Sequence, residues 1–241
     1  MLYNLNHIRG HKLAASDGPI GHVKDFYFDD KSWAVRYLVV DTGTWLTGRK
    51  VLLSPHAFGR LDNDGKSLAI NLTRNQIENS PPIDADRPVS RQYEENYYRY
   101  YGWPVYWEGA GIWGAGDLPV FIPSSRPYDL LSYEYPRWDD IHLRSTAAVT
   151  GYRIESTDGT IGSVSGFMVN GKRWVICELA VETGHWYSGK EILISTGKIR
   201  RISFDESKVF VNLTKENIQQ TSEDQVVQAG AGTHRAGNCN D

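Results

Sequence analysis

Histidine and cysteine are the residues of this 241-residue chain best suited to hold a metal or to attack a substrate, and it has seven of one and two of the other. His7, His11, His22, His56, His142, His185 and His234 are scattered along the chain and read as isolated surface or turn residues. Cys177 lies beside Trp174 and Ile176 with no basic neighbour, the surroundings of a buried, inert thiol rather than an activated nucleophile. Gly109-Ala110-Gly111-Ile112-Trp113-Gly114 has the spacing of a dinucleotide fingerprint. No strand leads into it, Pro119 follows closely, and no βαβ pattern surrounds it, so a glycine-rich loop is expected. Asp62-Asn63-Asp64-Gly65 lacks the downstream glutamate of a calcium loop and reads as a hairpin turn. A Gly-x-Ser-x-Gly elbow is absent and no pair of carboxylates stands out for acid–base work. The expectation is a protein that is not an enzyme, with no cofactor and no metal.

What the sequence offers instead is recognition chemistry. Trp45 stands near Arg49 and Lys50, and Trp186 near His185 and Lys190. A ring beside a cation is a frequent hot-spot pairing at protein interfaces, although a tryptophan closing the end of a small β-domain has the same look. Tyr93, Tyr97 and Tyr101 recur at helical spacing and give a predicted helix one aromatic face. Trp45, Arg49, Trp186, Lys190, Tyr93, Tyr97 and Tyr101 are therefore the candidate partner contacts.

The elements that position these residues come in duplicate. Residues 10–77 align with residues 151–218 at a constant offset of 141 without a gap, and 23 of the 68 positions are identical. A match of that length means one structural unit present twice. The coincident residues include Gly18/Gly159, Gly21/Gly162, Asp17/Asp158, Trp33/Trp174, Trp45/Trp186 and Leu38/Leu179. Matched glycines imply positive φ or close chain approach. Each copy reads as short strands between turns. Asp17-Gly18 and Asp158-Gly159 predict hairpins, and a second turn falls at Asp29-Asp30 and Asn170-Gly171, where the asparagine pair is the better type I′ sequence. In Trp33–Val40 and Trp174–Val181, Leu38/Leu179 and Val40/Val181 are expected to face the core, and Tyr37/Glu178 and Asp41/Glu182 to be more exposed. Asp62–Gly65 and Asp205–Ser207 predict a further hairpin, and Thr73 with Gln76 a capping box. A small barrel, which leaves no sheet edge open, suits this pattern.

The run Val35-Arg36-Tyr37-Leu38-Val39-Val40-Asp41-Thr42-Gly43, followed by Trp45-Leu46-Thr47-Gly48-Arg49-Lys50-Val51-Leu52-Leu53-Ser54-Pro55, resembles the signature of the PRC-barrel family. Gly18-Pro19-Ile20-Gly21-His22-Val23-Lys24-Asp25-Phe26 resembles its opening hairpin, and copy two keeps the pattern with Trp186-Tyr187-Ser188-Gly189-Lys190. The resemblance implies a mainly β protein with two small PRC-type β-barrels in tandem, and a compact binding module rather than a catalyst. The family's homes are the cytoplasmic part of the photosynthetic reaction centre H subunit, the C-terminal domain of the ribosome maturation factor RimM, and stand-alone bacterial proteins.

The expected boundaries are repeat one at 1–80, a linker at 81–145, repeat two at 146–221 and a disordered tail at 222–241. The linker holds 14 of the chain's 29 aromatic residues between positions 93 and 138, with a short helix over Ser90–Tyr101. That is enough apolar area to pack against both barrels, or to present a surface to a partner or a second copy of the chain. A net charge of −3 argues against nucleic acid. No leader is visible, the longest apolar runs are too short to cross a bilayer, and two cysteines make no disulfide framework, so a cytoplasmic protein is expected. The functional expectation is a protein-binding adaptor or assembly module. The alternatives are a reaction-centre H-like accessory subunit at a membrane electron-transfer complex, and a RimM-like ribosome or RNA-processing assembly factor.

Overall fold

The computed structural model describes residues 1–46, 49–61, 66–81, 89, 91–114, 116–123, 142–184, 187 and 189–220. The strands are β1 (Leu2–Asn4), β2 (Lys12–Ala15), β3 (Gly18–Asp29), β4 (Val35–Asp41), β5 (Val51–Leu53), β6 (Phe58–Leu61), β7 (Ser67–Ile70), β8 (Leu143–Ser145), β9 (Arg153–Ser156), β10 (Gly159–Asn170), β11 (Val175–Thr183), β12 (Glu191–Ser195), β13 (Ile199–Ser203) and β14 (Lys208–Val211). The helices are α1 (Leu5–Ile8), α2 (Arg74–Glu78), α3 (Arg91–Tyr101), α4 (Thr146–Val149) and α5 over residues 215–220. Among the described residues no helix is long and apolar enough to cross a membrane.

The protein is mainly β and divides into two compact units. The first is His7–Arg144; the second is Ser145–Asp241 together with Met1–Asn6. The boundaries expected from the repeat therefore differ from the compact units at both ends of copy one.

Each unit holds a seven-stranded mixed sheet. In the first unit the order is β5-β4-β3-β2-β7-β6, with β8 added on β3. In the second it is β12-β11-β10-β9-β14-β13, with β1 added on β10. Strand for strand the orders correspond, as the repeat requires. The parallel pairs are also equivalent, β2 with β7 and β14 with β9. A closed barrel was expected, but among the described residues the recorded pairing is open, with β5 and β6 ending one order and β12 and β13 the other.

Local chemistry explains the matched positions. A Cβ at Gly21 would lie 2.0 Å from the Asp41 carbonyl oxygen, and one at Gly162 would lie 2.1 Å from that of Glu182, so both need hydrogen for close chain approach. Asp17 accepts the Arg74 N–H at 2.7 Å and Asp158 accepts the Lys215 N–H at 3.1 Å, each binding the first turn of the short helix that ends its copy. Those hydrogen bonds hold the Asp158 carboxyl below its usual range, with Ser156 Oγ the leading donor. The Thr73–Gln76 capping box forms in both directions.

The second turn corrects an expectation. Asn170-Gly171 is not a two-residue type I′ turn, and Asp29-Asp30 is no poorer. In both copies the first side chain accepts two backbone N–H groups, Lys31 and Ser32 on Asp29, Lys172 and Arg173 on Asn170. The left-handed residue is the tryptophan itself, with φ of 59° at Trp33 and 52° at Trp174. The hairpin expected at Asp62–Gly65 lies outside the described residues. Cys177 is buried on β11, and Cys239 lies outside the described residues.

Candidate functional site

The connector's helix and the segment after it supply the first unit with a second layer. Tyr97, Tyr98 and Glu94 on α3 are fully buried and Tyr101 is 2% exposed, which turns the aromatic face inward. Tyr97 meets Tyr37 of β4 edge-on at 5.5 Å between ring centroids, and its hydroxyl accepts the Ser54 N–H at 2.9 Å. Tyr37 and Tyr106 both donate to Glu94 Oε1, at 2.8 and 2.9 Å. Burial raises the Tyr37, Tyr97, Tyr98 and Tyr101 phenols. Tyr98 is pushed up to about 12, and Tyr37 and Tyr97 rise well above the ordinary phenol range. Tyr37 was expected to be exposed by strand alternation; it is buried because α3 covers the outer face of β4.

Arg36 is 2% exposed. Its guanidinium lies 3.7 Å from the Tyr106 centroid and 5.0 Å from that of Trp113. It donates to the Ile112 carbonyl at 2.6 Å and to Ser32 Oγ at 3.0 Å, with Asp29 Oδ2 3.6 Å away. Two ring faces, two acceptors and a carboxylate replace the water this charge has lost. His56, read as a surface or turn residue, is instead buried at 2% exposure. It stacks on Trp103 at 5.4 Å and meets Trp113 edge-on at 5.3 Å. Burial lowers its imidazole below the usual range. A neutral ring donates from Nδ1 to the Val120 carbonyl, the two atoms being 2.9 Å apart.

That bond anchors the exposed part of the site. The Trp103 indole donates to the Ile122 carbonyl at 3.2 Å, so two alternate carbonyls of this segment are fixed to the core. Its apolar side chains point outward, with Leu118 52%, Val120 58% and Ile122 44% exposed. Three such residues at a spacing of two form an apolar edge of the kind that marks a contact surface. Upstream, the glycine-rich loop is packed tightly, a Cβ at Gly114 falling 2.6 Å from the Val105 carbonyl oxygen. This is the structural role expected for it. Among the described residues no group of three or more histidine, cysteine, aspartate or glutamate side chains is placed to hold a metal.

Residues 3–75, which carry this core's β2 to β7, match the PRC-barrel domain family. They form a PRC-barrel domain. An uncharacterized protein of Deinococcus radiodurans is similar, at 32% identity over 73 residues, which is 30% of this chain and 26% of that protein. The chain thus spans about a quarter of the length of the relative it matches.

The candidate contacts divide. On the PRC-barrel domain, Trp45 is half-buried with the Arg74 guanidinium 4.8 Å from its ring centroid. Arg49 reaches the carbonyls of Glu78 and Ser80 and ties down the chain leaving α2. Tyr93 is partly buried and donates to the Pro81 carbonyl at 3.4 Å. Tyr97 and Tyr101 are core residues, a correction to their reading as partner contacts; a phenol sealed under its own sheet has no surface to offer. In copy two Lys190 is exposed, 5.1 Å from the Tyr187 centroid, while Trp186 lies outside the described residues. The exposed edge escaped the sequence reading. Its signal was the short apolar run Leu118-Pro119-Val120-Phe121-Ile122, outweighed by the tyrosines and tryptophans around it.

Proposed function

We propose that this is a non-enzymatic adaptor with two PRC-barrel units in tandem, which binds a protein partner through the apolar edge at Leu118, Val120 and Ile122. The observation that supports this reading is the contrast between backbone and side chains in that segment. Its carbonyls are bound to buried His56 and Trp103, while three aliphatic side chains stay in water at 44–58% exposure. A pre-ordered apolar edge loses little conformational entropy on binding and gains from every apolar contact the partner supplies. Half-buried Trp45 and exposed Lys190 remain candidates for the rim of such a contact.

The test compares the intact chain with its Val120→Asp/Ile122→Asp variant as bait in cells that express the protein, followed by titration of the purified captured protein. A partner that binds the intact chain and loses roughly tenfold or more in affinity for the variant supports the assignment. Equal affinity for both baits, with both still folded, removes it.

A further inference from the structure

The leading strands of the two copies have changed places. β1 pairs antiparallel with the second half of β10, with Leu2 opposite Asn170, Tyr3 opposite Val169 and Asn4 opposite Met168. β8, which the offset of 141 makes the counterpart of β1, pairs with β3, the counterpart of β10. One backbone bond shows the equivalence. The Asp30 N–H donates to the His142 carbonyl at 2.9 Å, and the Gly171 N–H, at the matched position, donates to the Met1 carbonyl at 3.0 Å.

The backbones match but the side chains do not. At Gly171 a Cβ would stand 2.1 Å from the Tyr3 ring, and at Gly166 one would stand 3.0 Å from the Asn4 amide oxygen. β10 and the residue that follows it therefore offer two bare backbone positions, one filled by a phenol ring and one by an amide. The counterparts of these glycines are Asp30, just past the end of β3, and Asp25 within it. Asp30 accepts Arg144 Nε at 2.8 Å and contacts His142 Nδ1 at 2.8 Å. Arg144 is the counterpart of Tyr3, and Asp30 the counterpart of Gly171. Returned to its own sheet, Tyr3 would meet the Asp30 carboxylate, and Arg144 would lie over Gly171 with no anion in place of Asp30.

We infer that Tyr3 with Gly171, and Arg144 and His142 with Asp30, select which sheet each leading strand joins. The second half of β10 is then a receptor for an extended peptide of pattern apolar-Tyr-Asn, filled here by the chain's own N-terminus. β3 is a receptor for one carrying His and Arg. Both recognise their ligand by strand addition, in which backbone bonds supply general affinity and alternate side chains supply selectivity.

Two measurements test this. In the full-length chain, the key exchange Asp30→Gly/Gly171→Asp leaves both donor strands untouched. Hydrogen exchange read by mass spectrometry is expected to accelerate in residues 2–4 and 143–145, by roughly tenfold or more. Unchanged protection in both strands overturns the inference. In a chain lacking residues 1–4, labelled peptides of residues 1–6 and 142–147 are titrated. The first is expected to bind about tenfold tighter than the second and to lose that margin on Tyr3→Ala. Equal binding of the two peptides to the folded protein overturns the inference. If the shortened chain fails to fold, the exchange measurement decides alone.

Discussion

Tyr37 and Glu94 meet in the dry interior of the first unit, the phenol donating to Oε1 across 2.8 Å with neither side chain exposed. The counterpart of Tyr37 in the second copy is Glu178. At one position of the repeat, the first copy has a hydroxyl that serves a buried carboxylate from the connector, and the second has a half-exposed carboxylate of its own.

Tyr37→Phe takes one donor from Glu94 Oε1 and leaves the Tyr106 hydroxyl bonded to it. The expected loss is about 1–3 kcal/mol, the cost of removing one partner from a buried charged or polar group. Urea unfolding followed by tryptophan fluorescence measures it, and Tyr106→Phe should cost a comparable amount.

Glu178 tests the other side of that comparison. Desolvation raises its carboxyl above 4.5, so the folded state resists the charge. Its contribution to stability is therefore fully present below the unfolded value and declines as pH rises through the raised one. Glu178→Gln should raise the melting temperature at pH 7, and the gain should vanish below about pH 4, where both side chains are neutral. Thermal melts at the two pH values read the difference.

His56 has the opposite slope. Burial holds its imidazole below 6.5, so above that pH folded and unfolded states are both neutral and the site's contribution is complete. As pH falls below 6.5 the unfolded chain takes up a proton that the folded one resists, and stability declines until the folded value is passed. The groups facing the ring are Trp103, Trp113, Tyr98 and the Val120 carbonyl, with Arg36 adding its repulsion. His56→Gln should flatten this part of the stability–pH curve, and exchange at Val120 and Ile122 in the intact protein should quicken in the same window.

Gly21→Ala and Gly162→Ala each force a methyl group against a backbone carbonyl, at 2.0 and 2.1 Å. Backbone cannot yield as a flexible side chain does, so each should cost at least about 1–3 kcal/mol. Gly43→Ala, where nothing lies within 4 Å, separates the steric term from the strain of its positive φ of 55°. Denaturant midpoints of the three variants make the comparison.

Much of the fold was legible because its signals are local. The gapless repeat marked both sheets, Thr73 and Gln76 announced the helix start, and the matched glycines announced close approach. What failed required knowledge of what lies on top. Alternation placed Tyr37 outside because sequence period cannot reveal that α3 covers that face of β4. The tyrosines of α3 were read correctly as a helical face, yet whether the face points to a partner or to its own sheet depends on non-local packing. The exchange of leading strands left almost no trace. Of residues 1–4 and 142–145 only Leu2 and Leu143 are identical, and it is the differences, Tyr3 against Arg144 and Asp30 against Gly171, that carry the information.

Because β1 is anchored in the second unit and β8 in the first, a single backbone cut between residues 102 and 141 would not release two halves. Each fragment would still hold the other by a borrowed strand, like two hands with interlaced fingers. The nicked protein would travel as one species through a native column and come apart only in denaturant.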